Sequence, residues 1–304
     1  MSTVATDAPA PRWKRWLQVP FLLAALIAAA ALFAQQGDAI AAALARLDSA
    51  AILWTLVAAG GHVVFSYWTW RALAPHRDGR LSVTEARRLF FLSQAGKYVP
   101  GGIWQFVAAA EIGHGHGIAR RDTMASFVFA LLAAIAAGAT LALLVLAGQW
   151  TGSGLQWWWF AIALLPVAAL LLPPVARTLA RLARLERAPT PGRLLAASMF
   201  AIGMWCMAGV MLAALARGLG VDPSLAMTVS FSAFYAAAWI AGFFVLIAPA
   251  GIGAREGVLI ALLSTTMPVA EATILALLAR VAVTVVDLGA AGLVLALSRR
   301  PASQ

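Results

Sequence analysis

The chain has 304 residues, 62% of them hydrophobic and 11% charged. Soluble domains carry about 25% charged residues, so an ordinary soluble globular protein is excluded. The 22 Lys and Arg against 12 Asp and Glu leave a net charge of +10, but the bases fall mostly in short connections between apolar runs. The positive-inside rule accounts for them there, and no nucleic-acid partner is implied.

Apolar runs lie near 17–34, 50–74, 123–147, 157–176, 194–216, 224–248 and 271–297. Crossing a bilayer core takes roughly 20 such residues. The expected fold is all-α, a polytopic membrane helix bundle of seven to eight spans. Residues 1–16 form a cytoplasmic N-terminal tail, 17–298 a single transmembrane domain and 299–304 a C-terminal tail. Arg12, Lys14 and Arg15 precede the first run in the order of a signal peptide. That run is long for a signal h-region and Ala34 is a poor cleavage site, so an uncleaved first span is expected.

Between the second and third runs, Ser82-Val83-Thr84-Glu85 reads as a capping box opening a helix. Arg87, Arg88, Phe90 and Phe91 suit that helix to an interface with anionic head groups. It runs into Lys97-Tyr98-Val99-Pro100-Gly101-Gly102, and a short apolar piece, 103–110, follows. Neither side is long enough to cross, so a re-entrant hairpin is expected. Farther on, Asp222 as N-cap and Pro223 as first helical residue open the run that ends at Pro249. Gly251 and Gly253 follow, then a short helix from Glu256 to Met267 before Pro268. Broken backbone inside hydrocarbon must be buried in protein or line a cavity. A pair of such breaks in corresponding positions points to an internal repeat and to a binding site between its halves.

The segment 75–122 carries Arg77, Arg80, Arg87, Arg88, Lys97, Arg120 and Arg121, and 177–193 carries Arg177, Arg181, Arg184, Arg187 and Arg193. Both belong in the cytoplasm, which places the N-terminus there too. Seven spans would put Arg299 and Arg300 outside. A further crossing by 250–268 would bring them in, and the charge pattern favours it.

Charged groups within apolar segments are costly and are either functional or paired. Lys97, Tyr98 and Gln105 flank the first break and Glu111 follows it. Arg255 and Glu256 adjoin the second. Arg280 and Asp287 lie two turns apart on one face of the last run. The functional reading is a polar cavity in which Lys97, Arg255 and Arg280 meet an anionic head group, with Glu111, Glu256 and Asp287 balancing them. In the structural alternative, Arg280–Asp287 and Arg255–Glu256 are pairs that glue helices together. Glycines at 101, 102, 251 and 253 allow close approach of backbone N–H groups to a ligand. A helix starting after each break would aim its positive end at a phosphate.

His114 and His116 lack a third ligand nearby and read as a flexible interfacial loop. Trp157-Trp158-Trp159 reads as an aromatic belt. His62 reads as an interhelical hydrogen-bonder. Cys206, the single cysteine, reads as a buried inert thiol. There is no H-E-x-x-H, G-x-S-x-G or Walker A segment. Neither enzymatic activity, nor a metal, nor a cofactor is expected.

Lys97 to Gly102, together with Pro249-Ala250-Gly251-Ile252-Gly253-Ala254-Arg255-Glu256-Gly257, resembles the lysylphosphatidylglycerol synthase transmembrane-region family. That family includes the flippase domain of the multiple peptide resistance factor and many stand-alone membrane proteins. The first motif departs from the commoner family form, where Arg and Glu follow the Pro-Gly; here Gly, Ile and Trp104-Gln105 stand instead. The resemblance implies a flippase-like inner-membrane protein without the family's soluble aminoacyl transferase domain, and lipids or lipid-linked sugars as cargo. The expected function is translocation of an anionic phospholipid or a polyprenyl-phosphate-linked glycan. The alternatives are a non-transporting accessory subunit that anchors a glycosyltransferase partner, docked on the basic face at 177–193, and an intramembrane transferase using Glu256 or Glu111 as base.

Overall fold

The computed structural model describes residues 45–75, 81–98, 103–151, 158–185, 188–244 and 254–298, all in helices or their connections. In chain order the helices are α1 (Ser49–Leu73), α2 (Val83–Gln94), a 3-10 turn (Ala95–Tyr98), α3 (Trp104–Gly115), α4 (Arg120–Thr151) and α5 (Trp158–Leu171). Then come α6 (Pro173–Leu182), α7 (Pro191–Gly218), α8 (Leu225–Phe244), α9 (Ala254–Leu263) and α10 (Val269–Ser298). Five of them are long and apolar enough to cross a membrane, and α5 with α6, bent by 52°, makes a sixth span if taken as one. These match the expected runs from 50–74 onward. The run at 17–34 and the two tails, together with Pro100, Gly101, Gly102, Pro249, Gly251 and Gly253, lie outside the described residues.

Helices α1 and α7 pack antiparallel along their whole length. At one end the Arg193 guanidinium donates to the carbonyls of Ala72 (2.8 Å) and Ala74 (2.6 Å), capping the last turn of α1 with the first of α7. At the other end Gly218 lies so close to Leu47 and Ala51 that a methyl group there would stand 2.6 Å from each. The first end also carries Arg71, Arg87, Arg88, Arg120, Arg121, Arg177, Arg181 and Arg184, and is the basic end of the bundle.

Two hydrophobic clusters stack along the helix axes. The one at the basic end joins Trp70, Leu89, Phe90, Phe127, Phe129, Leu170 and Leu194. The other joins Leu47, Trp205, Leu212, Phe231, Tyr235, Leu263 and Leu275. Because Leu263 and Leu275 share a cluster with Leu47 and Leu215, α9 turns back from the end of α8 and α10 starts at the non-basic end. At ten residues, or about 15 Å, α9 covers roughly half of a hydrocarbon core. A half-length return thus lets α10 run from the non-basic end toward the basic end.

The first hairpin is closed at both ends. At its base the capping box forms as expected, with Ser82 N–H donating to Glu85 (2.9 Å) and Glu85 N–H to the Ser82 hydroxyl (3.2 Å). The Glu85 carboxylate also meets His116 at 3.3 Å, tying the start of α2 to the end of α3. At its tip Gly96 packs on the backbone of Gln105, where a Cβ would come within 2.6 Å of the amide nitrogen. Only glycine permits this approach. His114 is not in a loop: α3 continues through Gly115, because Gly117 (φ +76°) ends it in the left-handed region a helix C-terminus needs. The start of α8 also differs from expectation. Ser224, not Asp222, receives the Met227 N–H (3.2 Å), and Asp222 instead pairs with Arg217 at 3.1 Å, both side chains exposed.

The order long helix, hairpin, long helix occurs twice, as α1, α2–α3, α4 and as α7, α8–α9, α10. In each, the two hairpin helices follow one another between the long ones.

Candidate functional site

The two clusters leave a cavity of about 300 Å3 between them, midway along α1, α4, α7 and α8. Trp70, Phe90, Phe127 and Ala130 wall it on the basic side, and Ala134, Met204, Trp205, Tyr235 and Val283 on the other. Into this apolar shell the hairpins deliver charge. Lys97, Tyr98 and Gln105 come from the first, Arg255 from the start of α9, and Arg280 from α10.

The pairing among these groups differs from either pairing considered from sequence. Arg280, 8% exposed, reaches across to Glu256 on α9 rather than along its own helix to Asp287. Asp287, 5% exposed, is held by Lys97 and by the Tyr98 hydroxyl, which donates to Oδ2 at 2.8 Å. The register explains the swap. Groups two turns apart on one helix face different neighbours, and each meets the hairpin element packed beside it.

Arg255 is therefore left to a neutral partner. It donates to the Tyr235 hydroxyl, and its guanidinium sits 4.7 Å from the centre of that ring. Gly242 on α8 makes room for it, since a Cβ there would lie 2.7 Å from the Arg255 Cβ. Three cations (Lys97, Arg255, Arg280) against two carboxylates (Glu256, Asp287) leave the charged group one positive charge in excess. Helix α3 adds to it. Its first turn, with Gln105 and Phe106, lines the cavity and points the positive end of the helix dipole toward it.

Glu111 does not join the site. It lies on the exposed side of α3, where Arg120 grips it with two hydrogen bonds of 2.7 and 3.2 Å, both side chains more than 40% exposed. The helix that follows the break carries it away from the cavity. His62 meets Met204 as expected, Nδ1 donating to the carbonyl at 3.0 Å, and its ring also lines the cavity beside Tyr235. Cys206 is half-buried rather than buried. Among the described residues no three His, Cys, Asp or Glu side chains are placed to hold a metal ion.

Tyr235, Gln94, Ser66 and Thr284 were not singled out from sequence, yet all four line the cavity. The signal available was rarity: the chain has three tyrosines, and two of them hold charged groups here.

The family model for the lysylphosphatidylglycerol synthase transmembrane region matches residues 21–291. The chain belongs to that family. The match takes in every described helix up to the last turns of α10, both hairpins and all of the charged residues of the cavity. No protein of curated function matches the chain. Membership of the transmembrane-region family makes this a multi-pass membrane protein, in agreement with its apolar helices.

Proposed function

We propose that this protein translocates a lipid with an anionic head group across the membrane, the head group passing through the mid-bundle cavity. The observation that carries the reading is Arg255, a cation midway along the apolar helices held by a tyrosine rather than by a carboxylate. A charge so placed is costly unless it has work to do. A guanidinium grips phosphate through two parallel hydrogen bonds. The cargo class is a phospholipid or a polyprenyl-phosphate-linked glycan. The setting is a bacterial-type inner membrane, with the basic end and the N-terminus toward the cytoplasm. The protein is not an enzyme in this reading, since Glu256, the carboxylate best placed to act as a base, is tied to Arg280.

The test is reconstitution into liposomes carrying fluorescent lipids, with dithionite bleaching of the outer leaflet. Bleaching beyond half of the label, lost in Arg255→Ala, supports the reading; bleaching equal to that of protein-free liposomes overturns it. A second reading, a non-transporting subunit anchoring a glycosyltransferase, is favoured by α6. Its Ala176 and Ala180 are buried while Arg177 and Arg181 are exposed at the basic end. It gains ground only if reconstituted protein moves no lipid.

A further inference from the structure

Beyond its charges, the cavity is lined by neutral polar side chains: Gln94 from the last turn of α2, Gln105 from the first turn of α3 and Ser66 from α1. Among the described residues none of the three side chains has a hydrogen-bond partner. Each amide supplies two donors and a two-lone-pair acceptor, and the hydroxyl supplies one donor and two lone pairs. Uncharged donors and acceptors in that mixture match vicinal hydroxyl groups.

The carboxylates are in the opposite condition. Asp287 is engaged by Lys97 and Tyr98, and Glu256 by Arg280. An amine-bearing head group entering the cavity would meet the excess positive charge and no uncommitted carboxylate. A cavity of about 300 Å3 lies at the small end of ligand pockets, roughly ten water volumes. That space suits one phosphate with one small polyol.

Resting on the lipid-handling reading above, we infer that the head group taken here is a phosphodiester bearing a single neutral polyol, glycerol or one sugar ring, and that amine-bearing head groups are refused. Arg255 takes the phosphate, and Gln94, Gln105 and Ser66 take the hydroxyls. This selection runs against the lysylated lipid in the family's name.

The test is calorimetric binding to the purified full chain in detergent. The probes are dihexanoyl phosphatidylglycerol, its lysyl ester, dihexanoyl phosphatidylethanolamine, dihexanoyl phosphatidic acid and a citronellyl phosphodiester of glucose. The glycerol or the glucose probe should bind at least about tenfold tighter than either amine-bearing lipid, the scale of one or two hydrogen bonds; the tighter of the two names the polyol. Gln94→Leu with Gln105→Leu should bring the preferred probe down to the affinity of phosphatidic acid, whereas Arg255→Gln should weaken both together. An amine-bearing lipid that binds as tightly as the polyol probes overturns the inference, and so does an unchanged ratio in the double leucine variant. Equal binding of all five leaves phosphate capture by Arg255 standing and removes the selection; binding of none removes both. The wild-type comparison decides even where a variant fails to fold.

Discussion

Arg280 and Glu256, 24 residues apart and on separate helices, form a buried ion pair, while Asp287 on the same face of α10 turns to Lys97 and Tyr98. Breaking a buried pair from one side leaves a stranded charge, at a cost of about 3 kcal/mol or more, whereas removing both partners is often close to neutral. Arg280→Gln should therefore lower the thermal unfolding temperature sharply. Adding Glu256→Gln should restore most of it, and adding Asp287→Asn should not. Equal rescue by the two second-site changes would contradict this pairing.

Arg255 should separate stability from function. Its contact with the Tyr235 ring is worth about 0.5–2 kcal/mol, so Arg255→Ala should insert and unfold nearly as the wild type does, yet translocate no lipid. Arg255→Lys keeps the charge but loses the planar fork, and should retain only a small fraction of the rate. The rate of dithionite bleaching in liposomes checks both variants.

Two glycines set the geometry of the site. Gly96→Ala drives a methyl group to 2.6 Å from the Gln105 nitrogen, and Gly242→Ala to 2.7 Å from the Arg255 Cβ. The first contact is with backbone, which cannot swing aside, so a loss of about 1–3 kcal/mol is expected. The second displaces Arg255 and should impair transport more than stability. Gly60→Ala, in the middle of α1 with nothing within 4 Å, should be neutral or stabilising by up to about 1 kcal/mol from helix propensity. Unfolding midpoints of the three variants, measured side by side, provide the check.

At the base of the first hairpin, hydrogen bonds from Ser82 hold the Glu85 carboxyl below its ordinary value of 4.5. A carboxyl lowered on folding stabilises the folded state fully above its unfolded value, and that stabilisation is lost as pH falls through the folded one. Glu85→Gln should therefore be less stable than the wild type at neutral pH, and the difference should shrink below about pH 4. Ser82→Ala removes the cap itself, at about 1 kcal/mol. Unfolding midpoints between pH 3 and 7 would show whether the two proteins converge.

Helices and breaks were legible in the sequence because each depends on local chemistry: apolar length for the spans, Pro and Gly for the interruptions, and Ser82 with Glu85 for the cap. Lys97, Arg255, Arg280 and Asp287 stood out because a charge in an apolar run is conspicuous anywhere. Their partners did not, since pairing depends on which hairpin packs beside which turn of α10. Glu111 shows the limit in the other direction. Nearness to a break suggested the cavity, but its position on α3 takes it outward to Arg120. Gln94 and Ser66 gave no signal at all: Gln94 is one polar residue among several on the amphipathic α2, and a serine inside a long apolar helix such as α1 is unremarkable.

Helix α10 is the single rod on which both hairpins act, one through Lys97 at Asp287 and the other through Glu256 at Arg280. The grips are two turns apart on one face, about 10 Å along the axis. An anion that draws Lys97 away from Asp287 leaves the Tyr98 hydroxyl alone on that carboxylate, while Arg280 keeps its hold on Glu256. The two halves share α10 as a common axle, and motion begun by cargo at one hairpin reaches the other along it. Neutralising Lys97 and neutralising Glu256 should accordingly perturb transport in a non-additive way.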